Sequence, residues 1–276
     1  MGKSTLMNAL VGERLSIISP KAQTTRHRIF GILNEEDYQI VFSDTPGIIK
    51  PAYGLQESMM NFVKDAFEDA DVFLYMVEPG EKGLKDETVF EKLKSATVPV
   101  LLLINKIDTL DQAQLEAASQ LWQELLPNAE VIPVSALKKF NTDYVLNRIL
   151  NLIPESPPYF DKEAITDRTE RFIVSEIIRE KILNTYSKEI PYSVEVVVEE
   201  FKEEEAIIRI RATIYVARET QKGIIIGHKG TKIKRVGTEA RKDCEAFFGK
   251  QIYLELFVKV SKNWRDDDQK LKRFGY

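Results

Sequence analysis

The sequence predicts two domains: an α/β domain with a mostly parallel sheet, then an α+β domain whose strands have one wet face. Three observations carry this. Residues 72–77 and 100–104 are short, continuous apolar runs separated by helical patterns, the mark of strands buried on both faces. Beyond residue 190 the strands alternate apolar with charged side chains, as a half-exposed sheet requires. Between them stands Pro154-Glu155-Ser156-Pro157-Pro158, a proline cluster that ends a helix and stiffens a connector. The expected boundaries are residues 1–153, a linker over 154–170, and residues 171–276. A chain of 276 residues lets each half bury a core of its own.

The elements follow in order. A helix is expected from Lys3 to about Val11, with Gly12 as its C-terminal cap. Residues 28–33 and 38–43 read as strands joined by the polar turn Asn34-Glu35-Glu36-Asp37, a hairpin signal. Residues 55–68 are helical, 72–77 a buried strand, 87–94 a short helix and 100–104 a second buried strand. A helix over 113–126, a strand over 131–134 and a helix over 143–151 complete the first half. In the second half, residues 171–187 carry apolar residues at the spacing of a helix with one buried face. Strands over 193–201 and 206–216, a helix to about Phe248, a strand over 252–260 and a basic tail follow.

Composition excludes several classes. There is no apolar run of about 18 residues, so no spanning helix is expected. The polar start predicts no signal peptide. Cys244 is the only cysteine, which points to a reducing cytosol rather than a disulfide scaffold. His27 and His228 are the only histidines, so a histidine-based metal site is not expected. Net charge is −4 overall, but residues 155–276 are net +2 and the rest net −6. Eight basic residues between Arg218 and Lys242 face only Glu219 and Glu239, a stripe suited to an acidic partner.

Four patterns carry chemistry in the first half. Gly2-Lys3-Ser4-Thr5 opens the first helix and is the second half of a phosphate-binding loop. Backbone N–H groups of such a loop cradle phosphates, the lysine reaches the terminal ones, and the hydroxyl binds magnesium. Asp44-Thr45-Pro46-Gly47-Ile48 follows a strand. A strand-end aspartate there can hold magnesium through water, and a glycine N–H can approach a terminal phosphate. Asn105-Lys106-Ile107-Asp108 follows the next buried strand. A carboxylate accepts from two parallel donors, as on the N1–H and N2–H₂ edge of guanine, and rejects adenine. Asn105 and Lys106 would hold the guanine edge and the phosphate-loop geometry. Ser135-Ala136-Leu137 can complete the base pocket through its backbone. Loops after strands are where such sheets bind ligands. Together they predict an α/β P-loop NTPase domain that takes GTP or GDP with Mg²⁺.

Two stretches would answer to the terminal phosphate. Either Thr24 or Thr25, in the polar loop from Lys21 to Arg26, is expected to bind magnesium; the sequence leaves the choice open. The other runs from Gly47 to about Tyr53. Many GTPases place a glutamine just after this glycine to orient water; here Ile48 can neither donate nor accept. Slow hydrolysis, or a water-positioning group from an ion or partner, is the expectation.

In the second half, Gly227-His228-Lys229-Gly230 joins two helical segments, the clamp loop of a KH domain. The helix–strand–strand–helix–loop–helix–strand order resembles the type II topology. Glycines allow a tight turn and close approach of a nucleic-acid strand. Lys222, His228, Lys229, Lys232, Lys234 and Arg235 supply the polar and basic contacts. Ile224, Ile225, Ile226 and Ile233 give an apolar groove floor for unpaired bases.

The first-half arrangement resembles the translation-factor-like superclass of GTPases. The two halves together resemble the Era family, which assists small-subunit assembly. Residues 21–28, Asp44 to Ile48 and Lys259-Val260-Ser261-Lys262-Asn263-Trp264-Arg265 look like its signatures. The resemblance implies Lys3 on phosphates, Ser4 on magnesium, Asp44 on the metal through water and Gly47 on the terminal phosphate. It places Asn105 and Asp108 on guanine. It also implies a GTP-hydrolysing protein that binds the 3′ end of small-subunit ribosomal RNA and the 30S subunit; a monomer is the expectation, though the sequence itself does not give the oligomeric state. Cytoplasmic residence with peripheral contact at the inner membrane face comes with it.

One departure stands out. The phosphate loop lacks its leading glycine, its next four residues and the strand before them. In this fold that strand lies between the strands at 38–43 and 72–77, so the sheet is expected to lack its first central strand. The expectation is an amino-terminal truncation. An alternative follows from it: an RNA-binding module whose nucleotide domain is disabled.

Overall fold

The computed structural model describes residues 1–83 and 86–276. The chain forms two compact units. The first holds residues 1–16, 25–50 and 60–167; the second holds 17–24, 51–59 and 168–276.

In the first unit, α1 (Lys3–Val11) is closed by Gly12 at φ 85°, as expected. β1 (Ile29–Asn34) and β2 (Gln39–Asp44) form the expected antiparallel hairpin. β3 (Phe73–Val77), β4 (Val100–Ile104) and β5 (Ala129–Pro133) form a parallel sheet in the order β3-β4-β5. All five residues of β4 are buried, and each such aliphatic side chain contributes roughly 1.5–3 kcal/mol. The core around β4 includes Val77, Leu93, Leu102, Trp122 and Leu126. Helices α3 (Glu87–Lys94), α4 (Gln112–Leu125) and α5 (Thr142–Leu150) belong to this unit. Asp86 caps α3 through Val89 N, and Asp111 and Gln114 form a capping box on α4, which satisfies otherwise orphaned amides.

β3 departs from expectation. Phe73, Leu74 and Tyr75 are only half-buried. The reason is on its open edge: β2 and β3 do not pair. A cleft of about 1030 Å³ lies along them, lined by Ile40, Phe42, Leu74 and Met76 among others.

The stretch 154–170 is held down rather than free. Gln39 donates to the Phe160 carbonyl at 2.9 Å, Asn34 to the Ala164 carbonyl at 2.7 Å, and Ile32 N to the Ile165 carbonyl at 2.9 Å. A chain that satisfies a strand's outer edge in this way covers it against other pairing.

In the second unit, β6 (Val194–Glu203), β7 (Ile207–Val216) and β8 (Gln251–Val260) form a mixed sheet, antiparallel then parallel. α6 (Glu170–Thr185) and α8 (Thr231–Phe248) pack on it. Their shared core includes Ile178, Ile182, Ile210, Ile214, Val236 and Cys244. α7 (Glu219–Ile226) precedes the Gly-rich loop. The expected basic tail instead forms α9 (Asp268–Arg273), capped by Asp267. α2 (Gly54–Glu68) begins with residues of the second unit and continues into the first.

α6 also departs from the sequence reading. It does not bury one face only: Glu176, Arg179 and Glu180 are buried along with Ile173, Val174, Ile177, Ile178, Ile182 and Leu183.

Candidate functional site

In the first unit, Gly2 sits at φ 95°, and a Cβ there would lie 2.4 Å from Asn105 Nδ2. Only glycine meets both the backbone angle and the contact. The Gly2 carbonyl then accepts from Leu6 N at 2.9 Å, starting α1. This turn presents Lys3, Ser4 and Thr5 at a helix start, where unpaired amides favour anions.

Ser4 Oγ donates to Asp44 Oδ2 at 2.7 Å, and Thr25 Oγ1 lies 3.0 Å from Ser4 Oγ. Thr25 Oγ1 also reaches Asp44 Oδ2 at 3.4 Å. Asp44 is buried, and its Oδ1 has no hydrogen-bond partner. Burial pushes the Asp44 carboxyl up, against the pull of Lys3 and the Ser4, Ser16 and Thr25 hydroxyls. Burial likewise lowers the Lys3 ammonium, which Asp44 opposes. Two hydroxyls and an orphaned carboxylate oxygen fit a small hard cation. Among the described residues no cluster of three His, Cys, Asp or Glu could hold a metal. The oxygen donors of Ser4, Thr25 and Asp44 suit Mg²⁺, which completes its shell with water and substrate phosphate.

Geometry separates the two threonines. Thr24 Oγ1 donates to the Lys21 carbonyl at 2.7 Å, closing a local turn. Thr25 alone joins Ser4 and Asp44. Past Asp44 come Thr45 and Pro46; a Cβ on Gly47 would meet nothing within 4 Å. Ile48 packs against the β3–β5 core.

The base side is assembled around Asn105, which is 2% exposed. Its Nδ2 donates to the Met1 carbonyl at 2.6 Å, and its Oδ1 accepts from Ala136 N at 3.0 Å. Asn105 thus ties the phosphate loop to the 135–137 loop. Asp108 is exposed, and its Oδ1 accepts from Ser135 Oγ at 2.6 Å. That bond orients the carboxylate at the surface. Ser135 and Ala136 are buried, whereas Leu137 is exposed. Lys106, at φ 61°, pairs with Glu78 at 2.6 Å. Lys106, and then the amino-terminal ammonium, push Glu78 down to about 2. Glu78 escapes sequence reading because no motif marks it.

In the second unit, the clamp loop has a backbone of unusual shape. Gly227, Lys229 and Gly230 have φ of 73°, 48° and 76°. A Cβ on Gly227 would lie 2.8 Å from Lys232 Cγ. Gly230 opens α8 from a left-handed conformation. His228, Lys229, Lys232, Lys234 and Arg235 are exposed, and Lys222 is half-buried. Arg235 is paired with Glu239 at 2.8 Å, and Lys232 lies over the Tyr186 ring at 5.7 Å. Lys229 and Lys234 have no ion pair among the described residues. The groove floor needs one correction. Ile224 is exposed, but Ile225 is fully buried in the core and cannot meet a base. The helix turns by about 100° per residue, so Ile225 faces the core while Ile224 faces out.

Comparison with known proteins finds relatives for both units. Residues 1–106 match the 50S ribosome-binding GTPase family and residues 189–265 the KH domain family. GTPase Era of Thermoanaerobacter sp. (strain X514) is 44% identical over 279 aligned positions, spanning 100% of this chain and 92% of the relative. GTPase Era of Syntrophus aciditrophicus (strain SB) is 47% identical, over 100% of this chain and 91% of its own. The fold is similar to an Aquifex aeolicus Era variant bound to GDP·AlF4−, with TM-score 0.95, 39% identity and coverage of 100% and 95%. It is also similar to Era in complex with MgGDPNP and nucleotides 1506–1542 of 16S ribosomal RNA, with TM-score 0.94, 39% identity and coverage of 100% and 94%. A likeness that runs the whole length of the chain, GTPase half included, overturns the alternative of an RNA-binding module with a disabled nucleotide domain. Identity at this level across an alignment that spans the whole chain leaves a single assignment: the chain belongs to the Era family of GTPases.

Proposed function

We propose that this chain is a GTP-hydrolysing switch that binds the 3′ end of small-subunit ribosomal RNA and assists 30S assembly. The convergence of Ser4, Thr25 and Asp44 on one buried spot, with Asp108 oriented by Ser135, carries the reading. In it, residues 1–153 serve the nucleotide, 154–170 connect, and 171–276 serve RNA. Gly2, Lys3 and Thr5 hold the phosphates with Gly47 on the terminal one. Ser4 and Thr25, with Asp44 through water, would hold Mg²⁺, which would supply charge neutralisation for the phosphates. Asp108 reads guanine, while Asn105, Lys106, Ser135, Ala136 and Leu137 shape the base pocket. Thr24, Thr45, Pro46 and Ile48 move with the terminal phosphate.

On the RNA side, Gly227 and Gly230 admit the backbone, and Lys222, His228, Lys229, Lys232, Lys234 and Arg235 meet its phosphates. Ile224 supplies an exposed apolar surface for a base. A related structure holds MgGDPNP and 16S ribosomal RNA together, which supports the pairing of ligands. A monomeric state and peripheral contact with the inner membrane face complete the reading on family resemblance. No helix among the described residues is long and apolar enough to cross a membrane. Sedimentation and vesicle flotation test these two points.

The central test is binding of fluorescent GTP and ATP analogues with and without Mg²⁺, alongside a single-stranded RNA from the 3′ end of 16S rRNA. GTP retention that needs Mg²⁺ and excludes ATP is expected. Equal retention of ATP would sink the base assignment.

A further inference from the structure

We propose that Arg179 is a positioning residue for Thr25, acting through the carbonyl of Thr24. This rests on the reading of Thr25 as a magnesium ligand. Arg179 lies in the middle of α6 and is 1% exposed. Its Nε and Nη2 grip Glu176 Oε1 and Oε2 at 2.7 and 2.5 Å. Nη2 also donates to the Thr24 carbonyl at 2.5 Å. Arginine presents such donors in a fixed planar fork, so one fixed partner dictates where the others point.

Two further residues hold the same segment to α6. Ile18 N donates to Glu180 Oε1 at 3.0 Å. Lys21 Nζ donates to the carbonyls of Leu183 and Tyr186, at a helix end where carbonyls lack partners and cations are favoured. Residues 18–24 are therefore fastened at three points along one helix.

The geometric consequence falls on the next residue. The Thr24 carbonyl and the Thr25 nitrogen belong to one rigid planar peptide unit. Fixing the carbonyl direction fixes the Thr25 N–H and the origin of its side chain. Thr25 Oγ1 then lies 3.0 Å from Ser4 Oγ. A buried ion pair is weak evidence for stability, because hydrophobic replacements often do as well. What apolar residues cannot supply is a directed donor to one carbonyl. That is the property a metal-site threonine needs, since Mg²⁺ demands near-ideal octahedral geometry.

The test uses the full chain with Glu176→Gln/Arg179→Met, which removes both buried charges together. Thermal unfolding establishes that the variant is folded. Three readouts follow: retention of a fluorescent GTP analogue across a Mg²⁺ titration, hydrogen exchange of residues 18–26, and binding of the 16S 3′-end RNA. The expected result is a Mg²⁺ requirement raised about tenfold, the size of one lost charge-assisted hydrogen bond. Faster exchange at 24–26 accompanies it, with RNA affinity within about twofold of wild type, because no clamp residue is altered. Arg179→Lys keeps the charge without the fork and shows the same Mg²⁺ shift. A folded variant with wild-type Mg²⁺ dependence and wild-type exchange overturns the proposal. If the double variant does not fold, Arg179→Lys carries the test, because it keeps the buried charge beside Glu176 and removes only the fork. Wild-type Mg²⁺ dependence and wild-type exchange at 24–26 in that variant overturn the proposal. A wild-type chain that shows no Mg²⁺-dependent GTP retention sinks the reading of Thr25 itself, a separate outcome.

Discussion

The two sites are built on opposite plans. Around Ser4, Thr25, Asp44, Asn105 and Ser135, largely buried polar side chains form two sets: Ser4 and Thr25 meet at Asp44, while Asn105 accepts from Ala136 N and Ser135 donates to Asp108. The clamp at 227–230 is one short exposed loop, shaped by its own backbone angles and flanked by lysines. The first plan preorganises donors in a low-dielectric pocket, where each bond is strong and each loss costly. The second offers shape and charge in water, where contacts are individually weak and screened by salt. Damage at the first should appear as lost ligand discrimination, and at the second as graded loss of RNA affinity.

The sharpest way to break this comparison is Asp108→Asn. It replaces an acceptor pair with a mixed donor and acceptor, and GTP affinity should fall by at least about a hundredfold. Titration calorimetry checks this, and a change under threefold would remove Asp108 from the base. Next comes Gly227→Ala. A Cβ there meets Lys232 Cγ at 2.8 Å on a backbone at φ 73°, and RNA affinity should drop about tenfold. GTP affinity should stay put; if both fall together, the two plans are not independent.

Lys229→Ala and Lys234→Ala sharpen the clamp. Each should weaken RNA binding about equally across sequences and lower the salt slope by about 0.7. An unchanged slope would mean neither lysine meets a phosphate. Cys244 gives a smaller effect. Burial pushes its thiol up to about 12. The folded protein therefore holds it protonated below that pH, and a thiol reagent at pH 8 should label it only after unfolding. The smallest change is expected from Ile48→Ala. Loss of packing on the β3–β5 core should cost about 1–3 kcal/mol, with hydrolysis still measurable. Complete loss of turnover in a folded variant would show that the isoleucine itself is needed.

Much of the nucleotide site was readable because its motifs sit at strand ends, and strands are recognised by short-range apolar runs. The hairpin, the parallel strands and the clamp loop all lie within a few residues of where local pattern places them. Less was readable about side-chain ties. Nothing in the sequence distinguishes Thr24 from Thr25; the Lys21 carbonyl takes one and Ser4 the other. Helical spacing in α6 suggested one buried face, yet its charged residues are buried too, because Glu176 pairs with Arg179 and the segment 17–24 belongs to the same unit. Ile225 looked like groove lining and is core.

The sequence by itself therefore determined the two folds, the family resemblance and the chemical identity of the ligands. Those depend on residue types at fixed local spacing, which periodicity and turn chemistry report directly. Only the tertiary structure decided which threonine meets Asp44, which loop Asn105 ties to which, and how Arg179 reaches Thr24. Those contacts join residues up to 155 positions apart. Such pairings are settled by how whole elements pack, and packing leaves no local signature.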